Sequence, residues 1–318
     1  IITYQIKTVL YRYTNTSPTD WNGIPSNEKD RIQNLLNQPN NLIWPIQIAC
    51  AQKLATFFIL DKKFARECIM PLFHDESTQH QTWAAFLAFP RITSSFSEKD
   101  VSGLLEDQIA EARNLCEYKD QGLRNNYWDV LFNFMNMPPN TSNAYDAVLK
   151  KVLYNSGFST LSEIAKFLPY WCRQQNDEQI DTAWKNWLKT YITNRFQGIP
   201  RDLDSEEQKA LICLIPSLKG HISEALEILS TTDNTDIDFS QDHYPVPEGY
   251  DEKEQQQLLL FYQWQVKHQT GECDSTLLRW WLHRILRNLT NEYPDLDLTA
   301  LRKTMQDQFG FTGIAGID

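Results

Sequence analysis

Glycine is scarce in this sequence, at 11 of 318 positions. Sandwiches and barrels turn their corners through residues with positive φ, which glycine supplies most cheaply, so this count argues against an all-β fold. Long apolar runs are missing as well. The most apolar window, LIWPIQIACAQKLATFFIL, carries Gln47, Gln52 and Lys53 and reads as a core helix, not a membrane span. No leader of the secretory kind is seen, and the chain opens at Ile1 instead of Met, which reads as a piece of a longer protein. Basic clusters are lacking too. No more than two Lys or Arg adjoin, and the formal net charge is −11. Recognition of a phosphate backbone draws on clustered cations, so nucleic acid is not expected as the main partner.

Cysteine pairs at metal-binding spacing are also absent. Cys50, Cys68, Cys116, Cys172, Cys213 and Cys273 lie far apart with no CxxC, which excludes a zinc site of the usual spacing. Several occupy apolar stretches such as IACAQ and LICLI, the ordinary setting of a free buried thiol. That usage points to a reducing, cytoplasmic compartment. Sequons at Asn15, Asn140 and Asn288 do not change this reading.

Reaction motifs are wanting in the same way. There is no GxGxxG after a strand, no GxxxxGK[ST], no HExxH and no GxSxG, so nucleotide, metalloprotease and α/β-hydrolase chemistry has no signature here. HDESTQH offers His74, Asp75, Glu76 and His80. Six-residue spacing keeps the two imidazoles off one helical face, and the acids suit a first turn; no metal or cofactor is expected. Cys172 lacks a nearby base, which a thiol nucleophile needs. His283 sits at the edge of an apolar stripe. Glu206–Glu207 and Asp251–Glu252 read as solvated charges opening helices.

What the sequence does hold is aromatic and helical. Hydrophobic residues make up 42% and aromatics 12%, with ten Trp, ample for a core. Helical periodicity is predicted over 27–37, 45–60, 62–73, 77–89, 97–118, 122–136, 142–155, 160–174, 177–197, 205–218, 221–230, 254–269, 275–291 and 298–309. Pro45 fits a first turn. Ser97 with Asp100, and Ser205 with Gln208, resemble caps. Gly157, Gly198, Gly271 and Pro138–Pro139 read as stops. Only ITYQIKTVLYRY alternates like a strand. The fold class expected is all-α, an irregular HEAT/armadillo-like solenoid of stacked hairpins, since helix pairs recur every 35–45 residues or so. The expected division is a body at 1–230, an acidic loop at 231–253 carrying Pro245 and Pro247, and a C-terminal group at 254–318 packed on the body. Thr231–Glu254 is expected to be exposed and mobile.

One stretch stands out. In AWKNWLKTYITNRFQGIP, steps of three and four place Trp184, Trp187, Leu188, Tyr191, Ile192 and Arg195 on one helical face. A short GIPRDLD link to a helix near Ser205 makes an α-hairpin, so the stripe is expected to be core packing. A guanidinium on that face must find a carboxylate, a carbonyl or an aromatic plane.

Residues 183–229, from AWKNWLKTYITNRFQGIP to ISEALEIL, resemble the C-terminal helical region of large bacterial antiviral-defence proteins, with their W-x-x-W-L-x-x-Y-x-x-x-R-x-x-G-x-P pattern. PLFHDESTQHQTWAAFLAFPRITSSF, residues 71–96, is similar to their P-L-F…W-x-x-F-L…P-R segment. Many of those proteins carry an N-terminal sirtuin-like NAD-cleaving domain or another effector, and none of that catalytic part is present here. The resemblance implies a non-catalytic sensing, regulatory or scaffold module that binds a protein partner, a phage protein or a sister subunit, with no role for a membrane. Two rivals stand beside it. One is a hydrolase or nuclease whose all-α site gathers distant residues such as His74, His80 and Cys172; the other is an oligomerisation region.

Overall fold

The computed structural model describes residues 2–17, 19–37, 40–75, 79–88, 121–136, 149–155, 158–231, 246–269 and 275–311. The predicted helix at 97–118, the stops at Pro138–Pro139, Gly157 and Gly271, and the cap at Ser97 fall outside these residues. Every regular element among the described residues is helical, so the all-α class holds. The chain divides into two units, Ile1–Val148 and Leu149–Asp318.

In the first unit the opening segment is helix α1 (Ile2–Thr14) and not a strand. Ile6 and Val9 are buried while Tyr4 and Tyr11 are exposed, a three-residue step that only a helix satisfies. Helices α2 (Ser26–Leu36), α3 (Asn40–Ala51), α4 (Leu54–Leu60) and α5 (Lys62–Phe64) follow. Pro45 lies inside α3 and not at its start; its fixed φ is helical, and the helix runs through it at the cost of one backbone hydrogen bond. The predicted 45–60 helix is instead broken at Lys53, whose N–H turns back to the Cys50 carbonyl at 3.0 Å. From α5 the chain enters a π-helical turn, Ala65–Ile69, and a 3-10 turn, Met70–Phe73. Phe73 meets Trp83 and Phe86 of α6 (Gln79–Ala88) edge to face at 5.2 and 5.7 Å. Helix α7 (Gln121–Met135) buries Tyr127, Trp128, Leu131 and Phe132.

A polar knot ties α1, α2 and α5. The Asp61 carboxylate accepts from Phe64 N–H at 3.0 Å and Ile24 N–H at 3.2 Å, and pairs with Lys29 Nζ at 2.6 Å. Gly23 is held at φ 92°, where a Cβ would stand 2.6 Å from Asp61 Oδ2, so no other residue fits without moving the carboxylate.

The second unit holds α8 (Lys150–Asn155), α9 (Phe158–Gln174), α10 (Asp177–Ala183), α11 (Lys189–Phe196), α12 (Ser205–Leu214), α13 (Ile222–Ser230), α14 (Glu252–Lys267), α15 (Ser275–Glu292) and α16 (Thr299–Phe309). A π-helical turn, Trp184–Leu188, joins α10 to α11, and a 3-10 segment, Ile215–His221, joins α12 to α13. Asn176 and Gln179 form a reciprocal capping box, each bond 2.9 Å. The cap of α12 is Asp204, which accepts from Glu207 N–H at 2.7 Å, one residue before the predicted Ser205. An acid binds an orphan donor at a helix start at least as well as a hydroxyl.

Helix α14 packs on α13, on Ile215–His221 and on α16, so the C-terminal helices share a core with residues 149–230. The unit boundary therefore lies at Val148 and not in the 231–253 loop. Residues 246–254 of the predicted mobile stretch are anchored. Tyr250 and Pro247 are buried, the Tyr250 hydroxyl donates to the Pro216 carbonyl, and the Tyr293 hydroxyl donates to the Pro247 carbonyl. The rest of that stretch, 232–245, lies outside the described residues.

Candidate functional site

The residues of the aromatic stripe are where the second unit is most tightly closed. Trp184, Trp187, Leu188, Tyr191, Ile192 and Arg195 are all buried. Trp171 of α9 tilts against Trp187 at 5.6 Å. The buried positions of this segment are 180, 184, 188, 192 and 196, with 183, 187, 191 and 195. That repeat of about four residues is longer than the 3.6 of an α-helix, and the wider π turn takes up part of the surplus.

Arg195 is wholly enclosed. Its Nε and Nη2 donate to Glu207 Oε1 and Oε2 at 2.6 and 2.8 Å, and its Nη1 donates to the carbonyls of Ile199 and Arg201 at 2.6 and 2.9 Å. Both side chains have zero exposure. Glu206 and Glu207 were expected to be solvated together. Glu206 is, and pairs with Lys166 at 2.8 Å on the surface. Glu207 turns inward because the helix rotates it onto the Arg195 side. The pair fixes the α11–α12 link, which Gly198 starts at φ 73°. It is a structural closure, with its charges spent on each other.

On the outer side of the same segment lies a polar group. Trp184 stacks on His221 at 5.0 Å, and its Nε1 donates to Glu224 Oε2 at 3.2 Å. His221 Nε2 is 3.0 Å from Asp181 Oδ1, and Lys189 reaches Glu224 at 2.6 Å. The Lys189 ammonium, with the Trp184 N–H, holds the Glu224 carboxyl below its ordinary range. Lys219 sits in the adjoining turn at φ 51°, a conformation an L-residue adopts only under constraint. Its ammonium is tied to Asp177 and to the Gln175 carbonyl.

The turn Ile215–His221 also forms one wall of a cleft. Cys213 and Pro216 meet Val246, Phe261, Tyr262, Trp281, Arg284 and Ile285 around a space of about 30 Å³. A single water needs some 10–15 Å³ by this measure, so the cleft takes a small side-chain tip. Burial raises the phenols of Tyr262, Tyr250 and Tyr293 above their usual range; they serve as neutral walls and donors. At the rim, Trp280 carries the Arg284 guanidinium over its ring at 5.0 Å.

The sequence-level candidates for chemistry are not gathered. His74 and Asp75 are exposed and His80 is half-buried, Glu76 is outside the described residues, and no group of three or more His, Cys, Asp or Glu suited to a metal ion occurs among the described residues. Burial pushes the Cys50 thiol up to about 12, and raises Cys172 against a partial offset from Arg173 and Lys219. Neither is a thiolate near neutrality. The four described cysteines, Cys50, Cys68, Cys172 and Cys213, are unpaired. His283 packs edge-on to Phe311 at 4.7 Å, its proton affinity lowered by burial and by Arg279.

Sequence reasoning did not mark the cleft, since its residues come from four separate segments. Its one local signal was the doublet Trp280–Trp281, whose members cannot both face inward. No helix among the described residues is long and apolar enough to cross a membrane. Set against known protein families, curated proteins and solved structures, the chain matches none of them.

Proposed function

We propose that this chain is a non-catalytic helical module that binds a protein partner within a larger bacterial antiviral-defence protein. Its hairpins stack as an irregular HEAT-like array, and the partner, a phage protein or a sister subunit, acts through it on an effector elsewhere in the same protein. The observation that supports this reading most is Trp280. It stands 47% exposed beside a cleft of buried aromatics, and Trp, Tyr and Arg are the residue types that carry binding energy at protein interfaces. A cleft that admits one side-chain tip suits a macromolecular surface better than a cofactor. Unpaired thiols in a helical core agree with a cytoplasmic location.

The test is a plaque assay on bacteria producing the full-length protein, with and without residues 1–318. Loss of protection at equal protein levels is expected. Full protection without the region overturns the proposal.

A further inference from the structure

Helix α15 differs in sign from the chain that carries it. It bears Arg279, Arg284 and Arg287 against a single acid, Glu292, in a protein of net charge −11. Its buried side is Trp281, Leu282, Ile285, Leu286 and Leu289. The opposite side presents Leu277, Trp280, Arg284 and Arg287 at steps of three and four. Leu277 and Trp280 are 42% and 47% exposed, and Arg287 is exposed as well. Arg279 and Arg287 make no ion pair among the described residues. The face runs over ten residues, roughly 15 Å at the α-helical rise, and its edge at Arg284 opens onto the cleft.

We propose that this face docks an acidic amphipathic helix of the protein partner, a deepening that rests on the interaction reading above. Charge sets the sign. Carboxylates pair with guanidinium groups in forked geometry, and the acidic remainder of the surface turns such a segment away everywhere else, so the α15 face collects it. Shape sets the secondary structure. The second unit has no strand among its described residues, so an extended peptide finds no sheet edge here to satisfy its backbone, while a helix brings its own hydrogen bonds. An apolar side chain of that helix lies between Leu277 and Trp280, with its tip toward Trp281. Its carboxylates, three and four residues on, reach Arg284 and Arg287. The Arg284–Trp280 stack holds both side chains ready, which lowers the ordering cost of binding.

The experiment measures binding of the intact chain to three fluorescein-labelled helical peptides of 18 residues by fluorescence anisotropy. The first carries a stripe of Leu flanked by Glu. The second has Lys for every Glu, and the third keeps Glu but has Ser for every Leu. The first is expected to bind at least about tenfold tighter than either other, with affinity falling as salt rises. Trp280→Ala and Arg287→Glu should each weaken it about tenfold or more, with thermal melts checking that the fold is kept; Arg287→Glu, fully on the surface, carries the test if Trp280→Ala unfolds. Equal binding of all three peptides, or indifference to both substitutions, overturns the inference. So does cosedimentation with phosphatidylglycerol vesicles that Arg287→Glu abolishes, which assigns the face to a lipid surface. A dimer in sedimentation equilibrium that Trp280→Ala dissociates also overturns it, in favour of a second copy of the chain. The two readings fail separately. Peptide binding without any need for residues 1–318 in phage protection sinks the proposed function. Protection that survives Trp280→Ala and Arg287→Glu while peptide binding is lost sinks the docking helix alone.

Discussion

The two units close their helix connections with carboxylates, but in opposite electrostatic settings. Asp61 in the first unit is at the surface edge, shared among Lys29 and two backbone N–H groups. Glu207 in the second is fully enclosed and answered by a single guanidinium. Water screens the first arrangement and tolerates its loss. The second exists only as a pair, because either charge alone would be stranded in the core. A protein can thus fix two loops with the same functional group and give them very different sensitivity to change.

The largest effect should come from splitting the enclosed pair. Glu207→Gln is expected to cost about 3–5 kcal/mol in urea titrations, since it leaves the Arg195 charge unanswered. The double variant Arg195→Met, Glu207→Leu should cost less than either single change, leaving only the Ile199 and Arg201 carbonyls short of a donor. A double variant worse than both singles would break the contrast drawn here. Trp187→Ala beside it tests the apolar half of the same closure. It should lose about 3–5 kcal/mol as a cavity cost, and a melt equal to the parent's would mean the ring is not core.

Asp61→Asn should cost about 1–2 kcal/mol at neutral pH, the scale of hydrogen bonds to a charged group. Burial pushes the Asp61 carboxyl upward, but Lys29 and the N–H groups of Phe64 and Ile24 outweigh it, and its proton affinity is lowered. The charge is therefore fully stabilising above the ordinary aspartate value near 3.9 and its contribution is lost as pH falls through the depressed native value. Denaturation midpoints of parent and variant should converge on acidification below about pH 4. A gap that stays constant would assign the effect to shape and not charge. The smallest effect belongs to Glu206→Gln, one residue from Glu207. Its pair with Lys166 is exposed and should be worth under about 1 kcal/mol, vanishing in high salt.

That neighbouring contrast also shows why the sequence was readable only in part. The helices from Asp177 to Ser230 were legible because apolar residues recur at helical steps and Gly198 breaks them. Which of Glu206 and Glu207 turns inward was not, since both are good first-turn acids and only the rotation of α12 against Arg195 decides. The opening helix was ambiguous because Ile6 and Val9 are its only buried anchors among β-branched and aromatic neighbours. Pro45 was taken as a start signal because proline favours that position, though its φ also permits an interior one. The stretch before α14 looked like loop throughout. Its acidic composition was counted, while the hydroxyls of Tyr250 and Tyr293, which tie it to carbonyls distant in sequence, were not. The cleft was illegible for the same reason: Pro216, Phe261 and Trp281 meet only after three helices have packed.

The π turn at Trp184–Leu188 acts as a phase adjuster between the two ends of one long helical run. Deleting a single residue there, such as Asn186, would let the segment relax to regular α geometry and rotate everything beyond it by roughly 100° about the axis. Tyr191 and Arg195 would then face away from α12 while Trp184 kept its place over His221. One surplus residue thus lets the same helix present Trp184 to the outer polar group and Arg195 to the enclosed carboxylate.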